Sequence, residues 1–273
     1  MSVVIKSPDE IAIMREAGRL NAEVRKLLLD AIAPGVTGRE LDELAKAEIA
    51  QRGATPTFVG YAPGGRPPYP GAICYSVNAQ LVHGIPGDQP LQEGDIVSVD
   101  LGVTWRGYVS DAAFTAAVGE VPPEVRRLLE RTQAAVHAGV EQALAGNRIG
   151  DISSAIGAVG HEEGYGIIRE YGGHGVGRTM HEEPHIPNYG RPGVGHQLKP
   201  GMVVALEPMF SLGGEGTEEE ADRWTVRMRD GSLCAHFEET VAVTEGGPEI
   251  LTSMGRLDDA HEGAAAATTG GAA

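Results

Sequence analysis

Leu91-Gln92-Glu93-Gly94-Asp95-Ile96-Val97-Ser98-Val99-Asp100 aligns without gaps on Leu198-Lys199-Pro200-Gly201-Met202-Val203-Val204-Ala205-Leu206-Glu207. The leucines, the glycines and three apolar positions coincide, and Asp100 falls on Glu207. Apolar runs of this length after a Gly turn read as buried strands. A carboxylate ending a buried strand must be paired or stay protonated, because burying an unpaired charge is costly. Two such acids on two related segments predict a cation shared between them.

A second echo supports duplication. Gly35, Leu41 and Gly53 match Gly146, Ile152 and Gly164 at one offset, and both segments read as a short helix after a Gly turn. Thr37 with Glu40 fits a capping box at the first of them. A longer amphipathic helix precedes each. Ser7-Pro8-Asp9-Glu10 starts the first, with Ser7 as cap and Glu10 closing a second capping box, and Pro122-Pro123-Glu124 starts the other. Val125, Leu128, Leu129, Thr132, Val136, Val140 and Leu144 give the second its apolar stripe. The expected class is α/β: two fused halves around a common sheet, forming a single domain over residues 1–253. Residues 254–273, rich in Ala and Gly without periodicity, are expected to be a disordered tail.

Bulk composition narrows the function. Across 273 residues, 41% hydrophobic content supplies a core, and no apolar run approaches a membrane span. The N-terminus has no signal-peptide pattern, so a cytoplasmic protein is expected. Cys74 and Cys234 alone make no disulfide framework. A formal charge of −16 argues against a DNA-binding surface. Part of that charge is local, in Gly213–Asp222, which reads as a solvated hairpin loop.

Further acids extend the site. Asp111 follows Asp100 across Trp105-Arg106-Gly107, a spacing that suits a hairpin. Glu238 is expected on a strand Leu233–Val243 that returns past Glu207. His174, within Gly172-Gly173-His174-Gly175-Val176-Gly177, is the fifth candidate, with glycines permitting close backbone approach. Four carboxylates and one imidazole suit Mn²⁺, Fe²⁺ or Co²⁺ better than a structural zinc, and four negative charges call for two divalent ions.

The full set resembles the bacterial type I methionine aminopeptidases of the M24 pita-bread class. It comprises Val82-His83-Gly84-Ile85-Pro86, Asp100, Asp111, Gly173–Gly177, His181-Glu182-Glu183-Pro184, Leu206-Glu207-Pro208-Met209 and Phe237-Glu238-Glu239-Thr240. The resemblance runs from about Ser7 to Leu251. It implies a pita-bread fold, two pseudo-twofold-related halves around a central antiparallel sheet. It also implies removal of N-terminal methionine from nascent chains at the ribosome, with a small second residue preferred. By that resemblance Asp100 holds one metal, His174 and Glu207 hold the other, and Asp111 and Glu238 bridge. The metals are Mn, Fe or Co, with Zn also compatible. Glu207 carries the proton, His181 stabilises the oxyanion, and His83 contacts the substrate amide. Tyr69, Cys74, Met180 and Trp224 resemble the methionine pocket, and a monomer is expected.

Two departures are legible. Glu239 stands where the family often has His, and Tyr61–Pro70 is longer than the family pattern. His181-Glu182-Glu183-Pro184-His185 formally matches the zincin H-E-x-x-H. Pro184 inside the motif rules out the single helical face which that chemistry needs. A proline-specific peptidase of the same fold is the nearest rival, and it would be expected to carry a further N-terminal domain.

Overall fold

The computed structural model describes residues 2–255, so the expected tail lies, from residue 256 onward, outside the described residues. Both predicted capping boxes form. Ser7 opens α1 (Pro8–Ala31), exchanging side-chain and backbone hydrogen bonds with Glu10. Thr37 does the same with Glu40 for α2 (Gly38–Gln51). α3 (Pro123–Glu141) starts on its proline pair, and α4 (Ile149–Glu163) stops on Gly164 in the left-handed region. In the apolar stripe of α3, Val125, Leu128, Thr132, Val136 and Val140 are buried and Leu129 is half-buried, but Leu144 lies past the helix end and is exposed.

Fifteen strands complete the described residues. The first half carries β1 (Thr55–Pro56), β2 (Ile73–Val77), β3 (Gln80–Val82), β4 (Ile96–Trp105) and β5 (Tyr108–Ala117). The second carries β6 (Gly166–Ile167), β7 (Gly172–Gly175), β8 (Glu182–Pro187), β9 (Val203–Leu206) and β10 (Met209–Ser211). It continues with β11 (Thr217–Glu219), β12 (Val226–Met228), β13 (Cys234–His236), β14 (Glu239–Thr244) and β15 (Gly247–Ile250). β5-β4 with β1 and β2 makes one sheet, and β15-β14-β9-β7-β8 makes another. Every ladder between these strands is antiparallel. One apolar cluster reaches from Leu20 and Val24 of α1, through Val99 and Leu101, to Val204, Leu206 and Val241. The two halves therefore share a core.

The duplication extends to the backbone. Gly35 and Gly146 have φ of +92° and +97°, Gly53 and Gly164 have +71° and +72°, and Gly94 and Gly201 have +89° and +90°. Gly94 and Gly201 turn the chain into β4 and β9 respectively, a conformation that a Cβ disfavours.

Three expectations are corrected. Asp100 does not end its strand: β4 runs on to Trp105, because the tight turn comes at Arg106-Gly107, both at positive φ. That two-residue connection suits the strand twist of a hairpin. The strand expected over Leu233–Val243 is broken. β13 pairs with β10, β14 pairs with β9, and Phe237-Glu238 is the step between them. Pro208 lies opposite that step and has no N–H to continue a ladder. The Gly213–Asp222 stretch is also more than a loop. Thr217–Glu219 forms β11 against β12, with Thr217 buried.

Candidate metal centre

The β4–β5 hairpin brings Asp100 and Asp111 to one side of the sheet. Asp100 faces Ala113 and Asp111 faces Gly102, so the acids sit diagonally, two residues out of register. Glu207 follows β9 directly, and His174 lies on β7 beside it, paired with Ala205. Glu238 occupies the step before β14. Its N–H donates to the Ala113 carbonyl at 3.0 Å, and the Ala113 N–H returns a bond at 3.2 Å. On one side of this pair Thr240 exchanges bonds with the backbone of Asp111 (3.0 and 2.7 Å). On the other, Thr115 does the same with the backbone of His236 (2.9 and 2.8 Å). The register 111/240, 113/238, 115/236 joins the two halves at the acids.

The glycines flanking His174 have a spatial reason. A Cβ on Gly173 would lie 2.3 Å from the Ala205 carbonyl oxygen, and one on Gly175 would lie 2.3 Å from that of Glu183. Neither neighbour could yield, since both contacts are backbone. The ring of His174 is set by its Nδ1, 2.9 Å from the Gly175 carbonyl. A carbonyl only accepts, so Nδ1 carries the proton and Nε2 turns its lone pair inward. This is how proteins orient a ligating imidazole. Nε2 lies 3.6 Å from Glu207 Oε1 and 3.9 Å from Asp111 Oδ2.

The cluster is a poor place for bare charge. Burial pushes Asp111 up to about 7 and Glu207 up to about 8. Burial, with the neighbouring carboxylates, holds Asp100 and Glu238 well above the ordinary range. Burial also lowers His174 and His236 to about 3 and His83 to about 4, so all three are neutral at pH 7. Asp100 Oδ1, Asp111 Oδ1 and Glu238 Oε1 are buried without a hydrogen-bond partner among the described residues. Buried polar atoms are rarely left so. Donor atoms of Asp111, His174 and Glu238 converge within 4.8 Å, as do those of Glu207, His236 and Glu238. A divalent cation satisfies this arrangement: hard oxygen donors, orphaned lone pairs and excess negative charge in one buried volume.

Glu239, next along the chain, points the other way, as strand alternation requires. It pairs with the fully buried Arg25 (3.1 Å), while Arg25 also donates to the Thr252 carbonyl and the Thr252 hydroxyl donates to Glu239.

An apolar pocket abuts the acids. Tyr69, Cys74, Met180 and Trp224 come together, joined by Phe58 and Tyr61, which sequence reading did not single out. The long Tyr61–Pro70 segment builds this wall. Backbone bonds Gly60 N–H to Tyr69 O (2.8 Å) and Tyr69 N–H to Tyr61 O (2.9 Å) close its base, turning both tyrosines inward. The Trp224 indole donates to the Pro67 carbonyl at 2.9 Å, and Arg66 lies over its ring. Tyr61 Oη is 2.9 Å from His181 Nδ1. His83 holds φ +60°, uncommon for a residue with a side chain and typical of functional positions. On its other side the site opens into a groove edged by Glu170, Tyr171, Glu182 and His185. The H-E-x-x-H residues lie on β8 and the turn before it, and no helix forms there.

His236 is the other residue that sequence reading missed. Its spacing of two from Glu238 was a usable signal, since residues two apart in extended chain share a face.

A fold of two related α/β halves with an acid–imidazole cluster at their seam defines a metallohydrolase. Residues 12–245 match metallopeptidase family M24, and the chain belongs to that family. Methionine aminopeptidases are among its relatives. Methionine aminopeptidase 1 of Bacillus subtilis (strain 168) is 46% identical over 252 residues, covering 92% of this chain and all of that one. The enzyme of Clostridium acetobutylicum is 47% identical over 251 residues, covering 92% of this chain and 98% of its own. The crystal structure of methionine aminopeptidase from Thermotoga maritima superposes with a TM-score of 0.89 at 41% identity, covering 92% of this chain and all of that one. Family and cluster together support divalent metal binding.

Proposed function

We propose that the protein is a methionyl aminopeptidase that removes N-terminal methionine from nascent proteins and peptides, preferring a small second residue. The observation that carries this reading is the junction of a blind apolar pocket with the acid cluster, opening outward through one groove. In this reading the methionine side chain enters the pocket, its amino end meets the acids, and the rest of the peptide leaves by the groove. That is the layout of an exopeptidase.

Asp100 would hold one ion, His174 and Glu207 the other, and Asp111 and Glu238 would lie between them. When bound, ions of the Mn, Fe or Co kind acidify a water and polarise the scissile carbonyl. The remaining work falls to side chains. Glu207 accepts the proton released as the attacking oxygen forms, then returns it to the leaving amine. His181 is kept neutral by burial. Tyr61 Oη lies 2.9 Å from its Nδ1; in the tautomer that accepts there, the ring proton is on Nε2, where it would meet the developing oxyanion. Neutral His83 accepts from the substrate amide N–H. Tyr69, Cys74, Met180 and Trp224 line the methionine side chain.

We read residues 1–253 as one catalytic unit, working as a cytoplasmic monomer on chains emerging from the ribosome. No helix among the described residues is long and apolar enough to cross a membrane.

The test is cleavage by metal-stripped protein with Mn²⁺ or Co²⁺ restored, offered Met-Ala-Ser, Met-Leu-Ser and Ala-Pro-Ala. Metal-dependent methionine release from the first alone is expected. Cleavage of Ala-Pro-Ala instead would transfer the protein to the proline peptidases.

A further inference from the structure

We propose that His236 is a further ligand of the metal centre, acting through Nε2 on the side of Glu207 away from His174. The inference rests on reading the cluster as a metal site and adds a second imidazole to the four carboxylates and His174. His236 is 2% exposed, and neither of its ring nitrogens has a hydrogen-bond partner among the described residues. A buried imidazole left this way forfeits its hydration with nothing in exchange.

The spacing identifies the missing partner. Nε2 lies 3.7 Å from Glu207 Oε2 and 3.7 Å from Glu238 Oε2. Both distances exceed a hydrogen bond. They match two donors sharing one ion, because bonds of ~2.0–2.2 Å set neighbouring donors roughly 3–4 Å apart. His174 shows the same relation to Glu207 Oε1 at 3.6 Å. Glu207 thus offers one oxygen toward each imidazole. The backbone of His236 is fixed. Thr115 accepts from its main-chain N–H and donates to its main-chain carbonyl, and β13 pairs it with Met209.

A second nitrogen donor changes what the centre prefers. Carboxylate-rich sites suit Mn²⁺, whereas each added imidazole favours Zn²⁺, Fe²⁺ and their neighbours. Among metals offered singly, removing the His236 ring should therefore weaken Zn²⁺ uptake more than Mn²⁺ uptake.

The deciding experiment uses the full chain, metal-stripped and labelled with ¹⁵N at histidine, titrated with Zn²⁺ alone. Long-range ¹H–¹⁵N spectra resolve the ring nitrogens of the nine histidines. Two rings are expected to move to the metal-bound range, and one of them should be missing in His236→Gln. Calorimetry should show Zn²⁺ bound about 10–100-fold more weakly by that variant. One metal-bound ring in the unsubstituted protein would overturn the inference, even if His236→Gln weakens uptake, since His236 would then act only as a donor to Glu207. That result refutes the inference whether or not the variant folds. Absence of any Zn²⁺ uptake would remove the metal-centre reading itself, and this inference with it.

Discussion

Replacing Arg25 with Met tests whether the ion pair behind the metal centre supports the fold. Arg25 projects from α1 into the interior, where its side chain is 1% exposed, and its partner Glu239 is 17% exposed. The guanidinium lies 3.1 Å from Glu239 Oε2 and donates to the Thr252 carbonyl, fastening the last described turn of chain to the first helix. Methionine nearly preserves the volume but leaves Glu239 with only the Thr252 hydroxyl. Breaking a buried pair from one side costs about 3–5 kcal/mol, chiefly because a charge is left without its partner. For a chain of this size each kcal/mol moves the melting midpoint by roughly 2–4 °C. Arg25→Met should therefore lower it by roughly 6–20 °C in calorimetry of the metal-loaded protein. Adding Glu239→Gln removes the stranded charge, so the double variant should be more stable than Arg25→Met alone. A single variant melting within ~2 °C of the parent, or a double variant whose losses simply add, would refute the argument.

Asp111→Ala should abolish peptide cleavage and lower metal stoichiometry measured after dialysis; full activity would remove Asp111 from the bridging position. Stability of the metal-stripped protein should fall as pH rises from about 5 to 8. Asp111 (about 7) and Glu207 (about 8) keep protons in the fold that the unfolded chain has released, so folding binds protons and loses favour as they become scarce. A melting midpoint flat or rising across that window, read by scanning calorimetry, would contradict this. Ending the chain after Gly255 should leave turnover of Met-Ala-Ser unchanged, and a large loss would give the tail a role.

Local chemistry made much of this molecule readable. Capping boxes at Ser7 and Thr37 depend on four consecutive residues, and the turns at Gly94 and Gly201 on one residue each, so sequence displays them directly. The four candidate acids were readable for another reason: acids in apolar runs are conspicuous. His174 stood out by its flanking glycines. Where β4 ends is a local matter, set by the Arg106-Gly107 turn and not by Asp100. The rest of what escaped notice depends on partners distant in sequence. The break at Phe237-Glu238 reflects Pro208 on the opposing strand. Arg25 looked like one more polar residue on an amphipathic helix until Glu239, 214 positions later, came to meet it. His236 passed as a strand residue because nothing in its own neighbourhood says that both ring nitrogens go unpaired.

The seam where Thr240 clasps Asp111 spans 129 positions of chain. During synthesis the Asp100–Asp111 hairpin emerges early, holding two carboxylates and no imidazole, a weak chelator by itself. His174 and Glu207 follow, and Glu238 comes later still. The cluster therefore closes only when the Glu238 step docks against Ala113. An enzyme that edits the beginnings of other proteins assembles its own centre from segments made far apart in time.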